Sequence, residues 1–208
     1  MFTSFQNNPN ALTANQSVVS GASPTFASPI ITGTPIVSRY KSISVPATSM
    51  VAGATPPVLT KFRDNGAGSN GVFSWAFDDA KAQETYFSVQ LPSSYKEATV
   101  ITPIVRVATI AAQTVTNITF NLEYTIATAG TLNAITASIQ GVVATPVALT
   151  PTYAPLLPVI AAAGRKVHDI IMCRLSRPAI GFVGNVYVLS VDFLINVDTI
   201  GSATTLAK

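Results

Sequence analysis

The chain has 208 residues, a length that suits one β-sandwich or barrel domain with an appendage. Charged residues make up only 10% of it, against about 25% in an ordinary soluble domain, so much uncharged surface is expected to lie against partners in an oligomer or larger assembly. A net charge of +3 is too small to imply nucleic-acid binding, and no run of about 20 apolar residues offers a membrane-spanning helix.

The first predicted feature is an extended N-terminal arm over residues 1–40, which has no Lys, Arg, Asp or Glu before Arg39. Its four prolines forbid a long helix. We expect apolar residues of the arm to dock on a neighbouring protein surface; the candidate assembly contacts are Phe2, Phe5, Leu12, Phe26, Ile30 and Ile31. The alternative is a tail that docks nowhere. The lack of cations argues against contact with a genome, because phosphate neutralisation supplies that affinity.

Residues 41–60 are predicted to form a transition segment. Ile43, Val45 and residues 50–52 favour a short strand, and the Gly- and Pro-containing stretch 53–57 breaks it. We therefore predict that the sandwich domain occupies residues 61–202 and that residues 203–208 form a C-terminal tail.

Regular strand signals begin after residue 61. An aromatic-rich run at 72–77 follows a turn at 64–71, which is rich in Gly, Asn and Asp, and the run at 85–91 alternates in polarity. The next run, 100–108, contains Pro103. Because proline cannot donate to a strand ladder, Pro103 predicts an edge position or a bulge.

The clearest half-buried strand is residues 118–127, in which apolar and polar residues alternate strictly. Further strands are predicted at 135–143, 147–149, 167–176 and 186–198, with a proline-rich loop over 150–158. About eight short strands without a convincing amphipathic helix predict an all-β fold. The fold class expected is an antiparallel, jelly-roll-like β-sandwich with an extended N-terminal arm.

Residues suited to catalysis or metal binding are few. His168 is the only histidine and Cys173 the only cysteine, which is too few N and S ligands for a protein-only zinc site and leaves no internal disulfide. The nine carboxylates are scattered, and none forms the facing pair that glycoside hydrolysis needs. We expect no enzyme activity, no cofactor and no metal site. Cys173 is interpreted as a buried strand residue and His168 as a surface or strand-start residue.

Asp192 lies inside an apolar strand. A buried carboxylate needs a partner, which Arg106, Arg174 or Arg177 could provide. We take Asp192 and Arg174 as the candidate structural ion pair and prefer this interpretation to a catalytic acid.

Five segments in order resemble virion structural proteins of tailed bacteriophages, over residues 75–202. They are Phe-Ser-Val-Gln-Leu-Pro-Ser-Ser-Tyr-Lys-Glu at 87–97, Leu-Glu-Tyr-Thr at 122–125, Ile-Met-Cys-Arg-Leu-Ser-Arg at 171–177, Val-Asp-Phe at 191–193 and Asp-Thr-Ile-Gly-Ser at 198–202. Members of that group often carry a His-rich stretch after the proline that corresponds to Pro103, whereas this chain has Ile-Val-Arg-Val there. No role tied to those histidines is carried over. The resemblance implies a virion component with a β-sandwich.

These features lead to a functional hypothesis: a capsid-associated decoration, head-fibre or minor capsid protein, located in the virion after synthesis in the host cytoplasm. The expected partners are copies of itself, with a trimer favoured by analogy, and other capsid proteins, without direct nucleic-acid or membrane contact. The start of the chain lacks the pattern of a signal peptide. One alternative is a receptor- or glycan-binding module of a phage tail or fibre, for which Trp75 would be the test residue. Another is a hydrolase on the same scaffold, which lacks an evident catalytic constellation.

Overall fold

The structure, a computed structural model, describes residues 39–63, 66–68, 70–78, 80–110, 118–128, 131–132, 136–143, 151–155, 158–179 and 184–198. The six candidate contacts of the arm, the strand predicted at 147–149 and the C-terminal tail lie outside these residues.

Twelve strands and one 3-10 turn form within the described part of the chain, as the all-β prediction requires. The turn, Ala47–Ser49, separates the first two strands. The strands are β1 (Arg39–Pro46), β2 (Val51–Ala52), β3 (Val58–Arg63), β4 (Val72–Phe77), β5 (Gln83–Gln90), β6 (Thr102–Ala108), β7 (Ile118–Thr128), β8 (Thr131–Leu132), β9 (Thr136–Val143), β10 (Thr152–Pro155), β11 (Ile170–Arg177) and β12 (Val186–Val197).

The strands form two antiparallel sheets. The first sheet has the order β10-β6-β12-β4-β3, and β1 also pairs with β12. The second sheet has the order β2-β5-β11-β7-β8, and β9 also pairs with β7. Two rows of four, β4-β12-β6-β10 and β5-β11-β7-β9, make up the body of the sandwich. This is the strand order of a jelly roll, in which most connections cross from one sheet to the other. The predicted antiparallel, jelly-roll-like β-sandwich is confirmed, and the predicted arm lies outside the described residues.

The core lies between the sheets and follows the predicted alternation. Along β7, Ile118, Phe120, Leu122, Tyr124 and Ile126 are buried, and the residues between them are partly exposed. Phe120 meets Phe77 of the first sheet in a T-shaped contact with ring centroids 5.5 Å apart. Phe87 and Phe193 form a second contact between the sheets, at 6.1 Å. Such aromatic pairs stabilise the fold by more than the burial of their apolar area alone would provide.

The edge position predicted from Pro103 is wrong for β6 as a whole, since this strand lies inside the first sheet between β10 and β12, and it holds only locally at Pro103. Pro103 pairs with Phe193 of β12, whereas β10 ends at Pro155, opposite Ile104. The flanking residue Ile101 directs its N–H and C=O towards Ile160, on the β10 side, and alternate residues of a strand point the same way. The missing N–H of Pro103 therefore faces the side where β10 has already ended, so no ladder hydrogen bond is lost.

The predicted start of the domain at residue 61 is also wrong. β1 pairs with β12 along eight residues, from Arg39 opposite Val197 to Pro46 opposite Ser190. β2 then crosses to the second sheet and pairs with β5. Val45 and Met50 from this segment are buried in the core. Residues 39–60 thus belong to the sandwich, and the Gly- and Pro-containing stretch interrupts strands within it.

Candidate interaction surface

The outer face of the second sheet carries exposed apolar side chains. Alternation along β11 turns Ile171, Cys173 and Leu175 towards the core and turns Ile170 and Met172 outward. Met172 is 37% exposed, Ile170 39%, and Tyr86 of the neighbouring β5 is 41% exposed. The solvent face of an antiparallel sheet is normally polar. Grouped apolar residues on it indicate an interaction surface.

A surface cavity of about 750 Å³ opens at this face. Its lining joins outer residues of β5, β7 and β11 with three residues near the edge of β5, namely Val45, Ser49 and Val51. The cavity therefore extends from the face of the sheet to its edge. We call the outward residues Tyr86, Ser88, Ile170 and Met172 the β5–β11 face.

An ion network closes one end of the β5–β11 face. Arg174 donates two hydrogen bonds to Glu123 of β7, at 3.0 and 2.7 Å, and one to Glu84 of β5, at 2.7 Å. The other oxygen of Glu84 accepts the N–H of Ala54 at 3.0 Å. The bond from Ala54, together with Arg174, holds the pKa of Glu84 below its usual value. The bonds to Glu123 and Glu84 raise the pKa of Arg174. The charges of Arg174, Glu84 and Glu123 are therefore paired with one another within this chain.

The predicted ion pair between Asp192 and Arg174 is wrong, because the two residues lie in different sheets. The Nε of Arg106 donates to Asp192, and Ser190 donates to the other carboxylate oxygen at 3.2 Å. Strand register explains the choice, since Arg106 pairs directly with Ser190, two residues from Asp192. The hydrogen bond with Asp192 raises the pKa of Arg106. Arg106 was one of the three candidate partners, and the pair is structural in character, since Asp192 is almost fully buried.

Cys173 is buried in the core, as predicted, and Trp75 is partly buried against it. Burial raises the pKa of the Cys173 thiol, which makes it a poor nucleophile. Trp75 packs against the core, and its Nε1 donates to the carbonyl of Ala47 at 2.8 Å. A tryptophan held in this way is unsuited to stacking on a glycan.

His168 is partly exposed and lies in the turn two residues before β11, with a positive φ of 65°. Among the described residues, no group of three or more His, Cys, Asp or Glu side chains comes together as a metal site. Within the same residues, no helix has the length and apolar character needed to cross a bilayer.

The β5–β11 face was missed by sequence reasoning, although a signal was present. Residues 170–173 are apolar without interruption. In a strand with one face exposed to solvent, apolar and polar residues should alternate. Such a run indicates that both faces of the strand meet protein, in this chain or in another.

Comparison with known protein families finds no matching family model, and comparison with curated proteins finds no significant match. What the protein does must therefore be inferred from its residues and their geometry.

Proposed function

We propose that this protein is a non-enzymatic structural component of a bacteriophage particle. In this role it is a capsid-associated decoration, head-fibre or minor capsid protein that assembles with copies of itself and with other capsid proteins. The observation that carries the proposal is the apolar β5–β11 face in a chain whose charged residues are only 10% of the total. A surface of this kind is stable in water when a protein partner covers it.

The jelly roll is compatible with this role, because the same architecture recurs in viral capsid and lectin domains. The fold alone does not choose between those functions. The phage setting is supported by the segments at 87–97, 122–125, 171–177, 191–193 and 198–202, which resemble virion proteins.

The arm supplies the second line of support. It has no charged residue before Arg39 and holds apolar residues between its prolines. Docking such a segment on protein requires no desolvation of charge, which is the costly step in burying ionic groups. We favour a homo-oligomer, with a trimer by analogy with other jelly-roll assemblies.

The ion pairs support a non-enzymatic reading. Glu84 and Glu123 both bind Arg174, and Asp192 binds Arg106. The pKa of Glu84 is held below its usual value by the Ala54 N–H and Arg174, which suits this carboxylate poorly to act as a general acid. The glycan-binding alternative loses its test residue, because Trp75 packs against the core.

The test is deletion of residues 1–38. We expect the truncated chain to fold but to lose association with phage particles, because the arm is removed and every described strand is kept. Association is measured by co-sedimentation with particles, and folding by circular dichroism and thermal unfolding. A chain that lacks only residues 203–208 serves as the control and should associate normally. Normal incorporation of the chain without its arm contradicts the proposal.

A further inference from the structure

We propose that the outer edge of β5 and the β5–β11 face receive the N-terminal arm of a second copy of this chain, which adds to the sheet as a strand. This inference rests on the proposed function and names the surface through which the arm acts. It requires an open sheet edge, a face that suits an uncharged partner and an arm that can reach a neighbour.

The open edge follows from the direction of the backbone groups of β5. The N–H of Glu84 donates to the carbonyl of Thr55 at 2.9 Å, and its C=O accepts the N–H of Gly53 at 3.2 Å, so both point away from β11. Alternate residues of a strand point the same way, so the backbone groups of Ser88 and Gln90 also face outward. β2 pairs only with Thr85 and Tyr86. Among the described strands, none lies beside Ser88 and Gln90.

Among the described strands, this edge is left open because the chain changes sheets beside it. Traced backwards from β2, the backbone passes through the 3-10 turn Ala47–Ser49 and joins the first sheet as β1. β2 therefore pairs with Thr85 and Tyr86 and does not continue along β5 beside Ser88. The surface cavity lies here, with Val45, Ser49 and Ser88 in its lining.

The β3 edge of the first sheet is protected in a way that the β5 edge is not. β3 carries Lys61 and Arg63, and a register shift between them interrupts its pairing with β4. Lysine, arginine and bulges on an edge strand oppose pairing with another chain. The exposed residues of the β5 edge have no such device, since Ser88 and Gln90 are uncharged.

The arm suits the β5–β11 face in chemistry. The face offers Tyr86, Ile170 and Met172 as apolar contacts, and its nearby charges are paired within the Arg174 network. The arm contains runs such as Pro29-Ile30-Ile31-Thr32, which are apolar and uncharged. In strand addition, backbone hydrogen bonds supply affinity and alternate side chains fill pockets on the face.

The length and origin of the arm favour a second copy as its source. Residues 1–38 span about 125 Å when extended, roughly three times the diameter of about 40 Å expected for a domain of this size. Arg39 pairs with Val197, and Val197 bridges to Tyr95 in the loop that follows β5. Arg39, the first described residue, therefore lies at the end of the domain where β5 finishes. Two copies that pack along this end bring each arm beside the neighbour's edge, and they can exchange arms.

The first experiment places a charge on the face of the full chain. Met172→Glu should lower the assembled fraction at least tenfold in sedimentation of the purified protein, because the new carboxylate would be buried beneath an uncharged arm. Val72→Glu is the matched control, since Val72 is an exposed apolar residue of β4 in the first sheet. It should assemble like the unmodified chain. Thermal unfolding confirms that both variants fold.

The second experiment identifies the occupant of the edge independently of any charge. Photo-reactive benzoylphenylalanine replaces Ser88 in unlabelled full chain, which is mixed with ¹⁵N-labelled chain and irradiated. We expect cross-linked peptides that join this position to residues 1–38 of the labelled copy. Cross-links to other segments, cross-links confined to one copy, or no cross-links would each overturn the inference.

The two proposals fail in different ways. If deletion of residues 1–38 abolishes particle association and Met172→Glu assembles normally, the surface is wrong and the proposed function stands. If the deletion leaves association intact, the proposed function fails whatever Met172→Glu does.

Discussion

At the scale of single residues, the buried carboxylate of Asp192 shows how strand register selects a partner. Its side chain is 3% exposed, whereas that of Arg106 is 39% exposed and lies over the ring of Tyr153 at 4.5 Å. Breaking the ion pair would therefore leave Asp192 with fewer compensating contacts than Arg106. Arg106 keeps contact with water and with an aromatic face if the pair is broken, and Asp192 keeps only Ser190 among the hydrogen-bond partners described above.

We expect Arg106→Leu to destabilise the protein by about 3 kcal/mol, because it leaves a buried charge uncompensated. Asp192→Asn should cost less, about 1 kcal/mol, since the amide can still form hydrogen bonds. Urea denaturation measures both values. Arg39→Leu, at an exposed position of β1, is the control and should stay within about 0.5 kcal/mol of the unmodified chain. Equal costs for the two pair variants would contradict this account.

Glu84 predicts a dependence of stability on pH. Its folded-state pKa lies below the ordinary value of 4.5 because of the Ala54 N–H and Arg174. As pH falls below that ordinary value, the unfolded chain binds a proton at Glu84 before the folded chain does, so acid favours unfolding. The stabilisation is complete above the ordinary pKa and is lost as pH falls through the folded-state pKa.

The matched variant is Glu84→Gln, which cannot titrate. The difference in unfolding free energy between the unmodified chain and this variant should be largest near pH 6 and should shrink between about pH 5 and pH 3. Denaturant titrations at a series of pH values measure it. A difference that stays constant with pH would show that the ionised form of Glu84 is not favoured by folding.

At the scale of elements, β1 and β2 are structural parts of the sandwich. Deletion of residues 1–60 removes both strands together with part of β3, and it takes Val45 and Met50 out of the core. Each buried side chain of this kind contributes about 1.5–3 kcal/mol, against a total stability of about 5–15 kcal/mol. The same deletion also exposes the β1 side of β12.

We therefore expect the chain that begins at residue 61 to lose cooperative unfolding, whereas the chain that begins at Arg39 keeps it. Thermal unfolding followed by circular dichroism compares the two. A cooperative transition for the shorter chain, at a temperature close to that of the longer one, would restore residue 61 as the start of the domain.

Strand prediction succeeded where side chains alternate and failed where the local pattern carries no information about neighbours. β7 and β12 were predicted nearly to their ends, because alternating or β-branched runs reflect burial directly. The edge position predicted from Pro103 does not apply to the whole of β6, because a proline shows only that one backbone N–H is absent. The length of β10 decides whether that N–H was needed.

At the scale of the whole molecule, two features act together. The uncharged arm is a property of composition. The edge of β5, which is open among the described strands, arises from the change of sheet between β1 and β2. Because one chain carries both the arm and the β5 edge proposed to receive it, copies of this chain could assemble by exchanging arms. The jelly roll keeps its own core intact while offering that edge.

The order of residues along the chain was enough to predict the all-β class, most of the strands, the buried position of Cys173 and the uncharged arm, because composition and alternation depend on near neighbours alone. Strand pairing decided the rest. It joined Asp192 to Arg106, and it joined Arg174 to Glu84 and Glu123. It also left the outward backbone groups of Ser88 and Gln90 without a neighbouring strand among the described residues. These features depend on the register of segments far apart in the chain, which a one-residue slip would change and which no local pattern encodes.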